Sequence, residues 1–356
     1  MKRLPIVSVS FLLLCSVYVQ AQMTIGHYNV HDLGTFGGTR SSAYGINDNR
    51  QIVGYATLPS GVEHSFLYSN DTFRDLGVFG SASARLFSAA YAINQIGQVA
   101  GYAQSSGGQG GNYAFIYQNG SMTDLTSRHS GAWGINSSGD ITGYYVSSAS
   151  SFLWSNGNQI NLGTGGTGLG INDSRQVVGF DRNERAFLYS AGNISYLGTI
   201  SGGKSYAFGI NNTGQIVGWS DGYAFLYQNN SMIDLGLGSA RAINTYGQIV
   251  GFNGDHKAMI YQDGSMLDLN TLIDSDSGWI LREANAINNN GEIVGWGNNP
   301  AGEEHAFLLT TGSINPFTII MASDNSPVGG VPEPSVLISS LVYVLFGGFL
   351  IKLHRR

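Results

Sequence analysis

Few residues in this chain have the type and spacing for chemistry, and they are scattered. Asp274-Ser275-Asp276-Ser277-Gly278 has the alternating carboxylates of a calcium loop. Its glycine comes one position too early for an EF-hand, and no distal Glu follows at the required spacing, so it reads as a solvated loop. Glu303 and Glu304 are adjacent and point to opposite sides of an extended chain. Glycosidic chemistry needs two facing carboxylates about 5–9 Å apart. No two of the seven histidines have i, i+4 ligand spacing on a helix: His27 and His31 lie near the start of the folded part, on or beside the expected closing strand, and His354 near the far end. No Gly-x-Ser-x-Gly elbow, HExxH, Walker loop or Rossmann fingerprint occurs. These residues define no catalytic set, no metal site and no cofactor site. One residue does recur: Asn47, Asn94, Asn136, Asn172, Asn211, Asn244 and Asn288. Seven side-chain amides invite a ligand-collar reading. Each, however, opens a tight connection such as Asn211-Asn212-Thr213-Gly214, where Asn bonds the backbone two residues on and Gly accepts positive φ. Turn chemistry accounts for them.

Those asparagines end a repeated signature of small-x-small-Ile-Asn. It reads AYGIN, AYAIN, AWGIN, GLGIN, AFGIN, ARAIN and ANAIN, with spacings of 47, 42, 36, 39, 33 and 44 residues, the range of propeller blades. Each copy leads to a second short run ending in Gly plus an aromatic: Tyr55, Tyr102, Tyr144, Phe180, Trp219, Phe252 and Trp296. A third run, such as AFLY at 224–227, and a fourth with a DLG-like end follow. Short β-branched and aromatic runs bounded by Asn, Gly and Ser read as strands joined by hairpins. Residues 205–236 are the most regular copy. The fourth element is missing after the last third strand, whereas Tyr28 to Gly34 at the other end has no unit of its own. The tally is seven sets of four. It predicts an all-β chain: a seven-bladed β-propeller of four-stranded antiparallel blades closed by an N-terminal strand. A stacked solenoid is the competing fold.

Within a signature such as AFGIN, strict alternation puts Ala207 and Gly209 on one face and Phe208 and Ile210 on the other. The small residues then mark a crowded inner strand. Arg241 and Asn285 replace the bulky residue in consecutive copies, and polar side chains there could line one sector of a channel. The longest departures from the repeat, residues 77–89, 103–112 and 270–283, are loops, where function is usually carried.

The two ends carry addresses. Lys2 and Arg3 precede an apolar run at 4–19, and Val19-Gln20-Ala21 has small residues at cleavage spacing. This reads as a signal peptide over 1–21, cut between Ala21 and Gln22. The only cysteine, Cys15, lies inside it, so thiol chemistry is excluded from the mature chain. At the other end, residues 335–351 form an uncharged, mainly apolar run, at the short end for a membrane span. This run predicts a transmembrane sorting helix with a basic cytoplasmic tail at 352–356. Between 22 and 330 there are 12 Lys+Arg against 22 Asp+Glu, a net charge of −10, which opposes binding to nucleic acid or anionic lipid.

Val331-Pro332-Glu333-Pro334, set before that run in a linker at 319–334, resembles the PEP-CTERM sorting signal. The resemblance implies an exosortase as partner, with Pro332, Glu333 and Pro334 as the sorting motif. The repeats at 28–309 resemble the bacterial extracellular HAF repeat through His64-Ser65-Phe66-Leu67, His305-Ala306-Phe307-Leu308, the DLG ends and the Ile-Asn-x-x-Gly-Gln-Ile-Val-Gly turns. This likeness implies an extracellular protein and no particular activity. The expected organisation is a propeller at 22–318 flanked by these addresses, anchored by the C-terminal helix and then released to the cell surface or matrix. The expected role is non-catalytic, binding or structural, with exopolysaccharide or matrix proteins as partners. A polysaccharide-acting glycosidase or lyase on the same scaffold is the alternative.

Overall fold

A computed structural model of the chain describes residues 27–80, 85–106, 111–146, 149–311, 343–346 and 349–352. Ala21, Gln22, Pro332, Glu333 and Pro334 lie outside the described residues. The chain divides into two units, Met1–Ile314 and Asn315–Arg356.

Every described repeat is antiparallel sheet. The hairpins follow from local chemistry. Third and fourth runs are joined by two-residue turns at Asn70-Asp71, Asn119-Gly120, Asn156-Gly157, Ala191-Gly192, Asn229-Asn230 and Asp263-Gly264, with both residues at positive φ. That is the type I′ geometry matching the twist of paired strands. Tyr28–Gly34 pairs with Glu304–Thr311, so the first and last parts of the repeat region share one sheet.

Two expectations are corrected. The strands do not sort into seven separate four-stranded blades, so the seven-bladed propeller does not stand. There are five sheets in this region, three of four strands and two of seven, and none closes on itself. The cause is at the junctions. Ser121–Ile135 and Ser231–Ile243 run 15 and 13 residues without a break, each serving as the outer strand of one repeat and the inner strand of the next. Elsewhere the chain leaves the sheet between the outer strand and the next inner strand, as at 162–166 and 197–204. The transmembrane helix is also overturned. Within the expected span, Tyr343–Phe346 and Phe349–Lys352 pair as an antiparallel hairpin, and no helix among the described residues is long and apolar enough to cross a membrane. Gly347-Gly348 separates two β-branched and aromatic runs, a hairpin pattern that mean hydropathy hides. The expected membrane anchoring by that helix loses its support with it.

The core lies between neighbouring repeats. Phe66, Phe115, Phe152, Phe187, Phe225, Met259 and Phe307, one per third strand, are fully buried. One cluster joins Val217, Ala224 and Leu226 of the fifth repeat to Ala240, Ile249 and Met259 of the sixth. Each such side chain contributes about 1.5–3 kcal/mol.

The glycine before each second-strand aromatic has a steric cause. A Cβ on Gly218 would sit 2.0 Å from the Tyr206 carbonyl oxygen and 2.6 Å from the Phe225 ring. The other six stand in the same place, with 1.8–2.1 Å to the matching carbonyl. Gly218→Ala is expected to destabilise the fold by about 2–3 kcal/mol. A urea midpoint unchanged from wild type would disprove the close-approach account.

Candidate functional site

The asparagines do more than start turns. Each Oδ1 accepts backbone N–H groups; Asn211 takes those of Thr213 and Gln215 at 3.2 and 3.0 Å. Each Nδ2 donates within its own turn and to the backbone carbonyl of the next repeat's asparagine. The second bond runs from Asn47 to Asn94, then to Asn136, Asn172, Asn211, Asn244, Asn288 and back to Asn47, at 3.0–3.2 Å. The circuit is complete and buried. At the opposite end of the inner strands, Ser41, Ser88, Ser130 and Ser205 accept the N–H groups of Ala306, Ser65, Ala114 and Ala186 at 2.9–3.0 Å. Side chains thus join sheets that backbone pairing leaves separate.

This circuit has two ends. At the asparagine end is a cavity of about 250 Å³ lined by the signature isoleucines and by Asp48, Gln95, Ser137, Asp173, Asn212, Thr245 and Asn289. The opposite end is aromatic, and a backbone device makes it so. In every inner strand the register slips at the x residue of the signature. Such bulges re-aim a side chain. They also correct the expected alternation: Ala207 and Gly209 oppose Gly218 and Val217, consecutive residues, and so face opposite sides. The third small residue meets the next repeat's backbone; a Cβ on Gly134 would lie 2.9 Å from the Leu169 carbonyl oxygen.

The bulged residues are Tyr44, Tyr91, Trp133, Leu169, Phe208, Arg241 and Asn285, all half-buried. Tyr44 stacks on Tyr91 at 4.9 Å, and Tyr91 meets Trp133 at 4.0 Å. The second-strand aromatics back them: Tyr55 lies 6.0 Å from Tyr44 and Tyr102 5.7 Å from Tyr91. Burial is the main cause raising the Tyr44 and Tyr91 hydroxyls above their ordinary value, so both stay neutral. Arg241 lies over Phe208 and Phe252, 4.9 and 5.2 Å from their centroids, and 3.7 Å from Glu283. Asn285 donates to the Ala43 carbonyl at 2.9 Å. Buried Trp133 Nε1, Arg241 Nε and Ser239 Oγ have no hydrogen-bond partner among the described residues. Strand direction puts the loop at 270–283 at this same end; residues 81–84 and 107–110 of the other two expected loops lie outside the described residues.

Other sequence candidates have structural roles. Asp274 caps a short turn through the Asp276 N–H at 2.9 Å. Glu304 pairs with Arg40 at 2.9 Å, and Glu303 lies 3.5 Å from His305. His31 bonds Thr310 at 3.0 Å. The two repeat histidines contact the DLG aspartates: His64 with Asp75 and His305 with Asp32, both at 2.8 Å.

Sequence reasoning missed a paired departure. Three turns carry Gly and then Gln; in two others Arg50 and Arg175 replace the Gly, and in the remaining two Asp140 and Glu292 replace the Gln. Each acid pairs with the arginine of the following repeat. Arg175 Nε is 2.9 Å from Asp140, and Arg50 Nε is 2.7 Å from Glu292. Burial pushes the Asp140 carboxyl up, but bonds from Ser155, Asn136 and Arg175 outweigh it and hold it below the usual range. The coincidence of acid and arginine in successive repeats was the available signal.

No protein-family model matches the chain, and no curated protein matches it. Among solved structures, the extracellular domain of a putative hybrid two-component system from B. thetaiotaomicron is similar at 11% identity and TM-score 0.48; the match covers 79% of this chain and 39% of that one. The computationally designed Ika8 protein is similar at 13% identity and TM-score 0.38, covering 77% and 98%. A triple arginine-to-alanine mutant of AofleA from Arthrobotrys oligospora is similar at 9% identity and TM-score 0.34, covering 80% and 87%. None of these likenesses bears on what the chain binds or does. Its own residues define an all-β repeat protein joined through asparagine side chains, with one polar and one aromatic end.

Arg50→Gly is expected to cost about 2–3 kcal/mol, because it strands the buried Glu292 carboxylate. The figure is kept low because Arg50 is itself half-exposed. The double variant with Glu292→Gln restores the regular Gly–Gln turn and should recover most of the loss in urea denaturation; equal instability of single and double variants would contradict the pairing. His64 is raised above its ordinary 6.5, chiefly by its bond to Asp75. Its contribution is full below about pH 6.5 and fades as pH rises through the folded-state value. Stability should therefore fall as pH rises above about 6.5, and His64→Gln should flatten that slope; an identical slope in the variant would refute it.

Proposed function

We propose that this chain is an exported, non-catalytic module that binds an extracellular matrix polymer through its aromatic end. The observation that carries this reading is the cluster of half-buried aromatic side chains around buried, unpartnered donors. Aromatic faces and preset polar groups are what a binding site needs and a packed core avoids. The signal-peptide pattern at 1–21, the HAF-like repeats and Pro332-Glu333-Pro334 support export and exosortase handling from the sequence side. A hydrolytic reading is less favoured because two of the carboxylates toward this end are committed to cations: Glu184 to Lys204 at 2.5 Å and Glu304 to Arg40 at 2.9 Å.

The test uses the full gene expressed in an exosortase-producing host. The secreted protein should begin at Gln22 and lack the tail beyond the Pro332–Pro334 motif. In a screen against matrix polysaccharides and matrix proteins it should bind without cleaving. Trp133→Ala should weaken that binding about tenfold while leaving the far-ultraviolet spectrum unchanged. A folded protein that binds nothing in the screen, or one that depolymerises a polysaccharide, would overturn the reading.

A further inference from the structure

The polar groups at the aromatic end narrow the ligand class, on the reading that this end is the binding site. We propose that it takes a neutral saccharide, with a sugar ring against the aromatic faces and neighbouring hydroxyls on the Arg241–Glu283 pair. Three observations converge.

The first is the platform. Tyr44 stacks on Tyr91, and Trp133 leans on Tyr91 at an interplanar angle of 49°; Tyr206 forms a second group with Phe208 and Trp219 at 6.4 and 5.3 Å. Flat π faces suit the C–H face of a pyranose, and they would also suit an organic cation. The second observation removes the cation. Arg241 already occupies the cationic position over Phe208 and Phe252, and its positive charge repels another. The rings hold its guanidinium in place. Glu283, at 3.7 Å, is near enough to balance the charge but beyond hydrogen-bond distance. Donor and acceptor therefore stand side by side, each with capacity free. Adjacent sugar hydroxyls, each both donor and acceptor, match such a pair. The unpartnered Trp133 Nε1 and Ser239 Oγ add a further donor and a hydroxyl. A buried polar atom without a partner costs about 1–3 kcal/mol, and a polyhydroxylated ligand relieves that cost.

The third observation is charge. The pair is neutral as a unit, and residues 22–330 carry −10. Acidic polymers are repelled, within a Debye length of about 8 Å at physiological salt. Uronate chains are therefore disfavoured against neutral ones.

The experiment is calorimetric titration of the secreted protein with a neutral hexose oligosaccharide and with a uronate oligosaccharide of equal length, read in parallel by tryptophan fluorescence. The neutral sugar should bind at least about tenfold more tightly. Glu283→Gln, which keeps shape and removes the balancing charge, should weaken neutral binding and shift the preference toward uronate. Trp133→Phe, which keeps the ring and removes the donor, should weaken neutral binding by a smaller factor. Equal or tighter uronate binding by the wild type would overturn the inference and leave the binding-module reading standing. Binding of a matrix protein with no response to either sugar would do the same. Loss of all ligands in a folded protein would sink both. If Glu283→Gln fails to fold, Arg241→Lys serves in its place; unchanged neutral affinity in that variant would count against the pair.

Discussion

Everything in the repeat region hangs on one side chain used seven times. An asparagine at the end of each inner strand takes backbone N–H groups of its own turn and gives its second N–H to the next repeat. Each bond has a modest net value of about 1 kcal/mol. Buried and mutually dependent, they are costly to break singly, because every broken link strands a carbonyl and an amide away from water. The circuit sets the distance between inner strands. That distance explains the small residues of the signature, since a neighbouring backbone lies where their side chains would go. The bulge beside them releases the x residue from the ladder and leaves it free to form the aromatic end.

The junction between the last repeat and the first has to join segments more than 240 residues apart in sequence, and it is reinforced accordingly. Asn288 reaches the Asn47 carbonyl, Asn289 both oxygens of Asp48, and Asn285 the Ala43 carbonyl. Glu292 pairs with Arg50, Glu304 with Arg40, and His305 with Asp32. Several of the chain's charged side chains are spent on this seam. The same charge pairing appears once more, between Asp140 and Arg175, where it joins the third repeat to the fourth.

Much of the local structure was legible. The strands and the turn role of the asparagines follow from residue type and spacing, and Tyr28–Gly34 pairs with the last repeat strand, as its missing partner indicated. Sheet membership was not legible. Whether Leu125 to Ser130 turns or stays extended depends on a few φ values, not on hydrophobic pattern, and so seven expected blades became five sheets. The apolar run near the C-terminal end was misread for a related reason. Its hydropathy fits a helix and a hairpin equally, and a pair of glycines decides between them. The aromatic end was half-visible: Arg241 and Asn285 stood out as departures from the bulky residue of the signature.

The sequence by itself determined periodicity, hairpins, the buried phenylalanine of nearly every repeat and the acidic balance of the chain. These rest on contacts within about forty residues, whose patterns repeat and can be compared. Tertiary structure alone decided that the asparagines link repeat to repeat, that Arg50 neutralises Glu292, and that a bulge in each inner strand brings Tyr44, Tyr91 and Trp133 together. Those outcomes depend on which backbone lies across each junction and at what distance. No residue type encodes that until the last repeat meets the first.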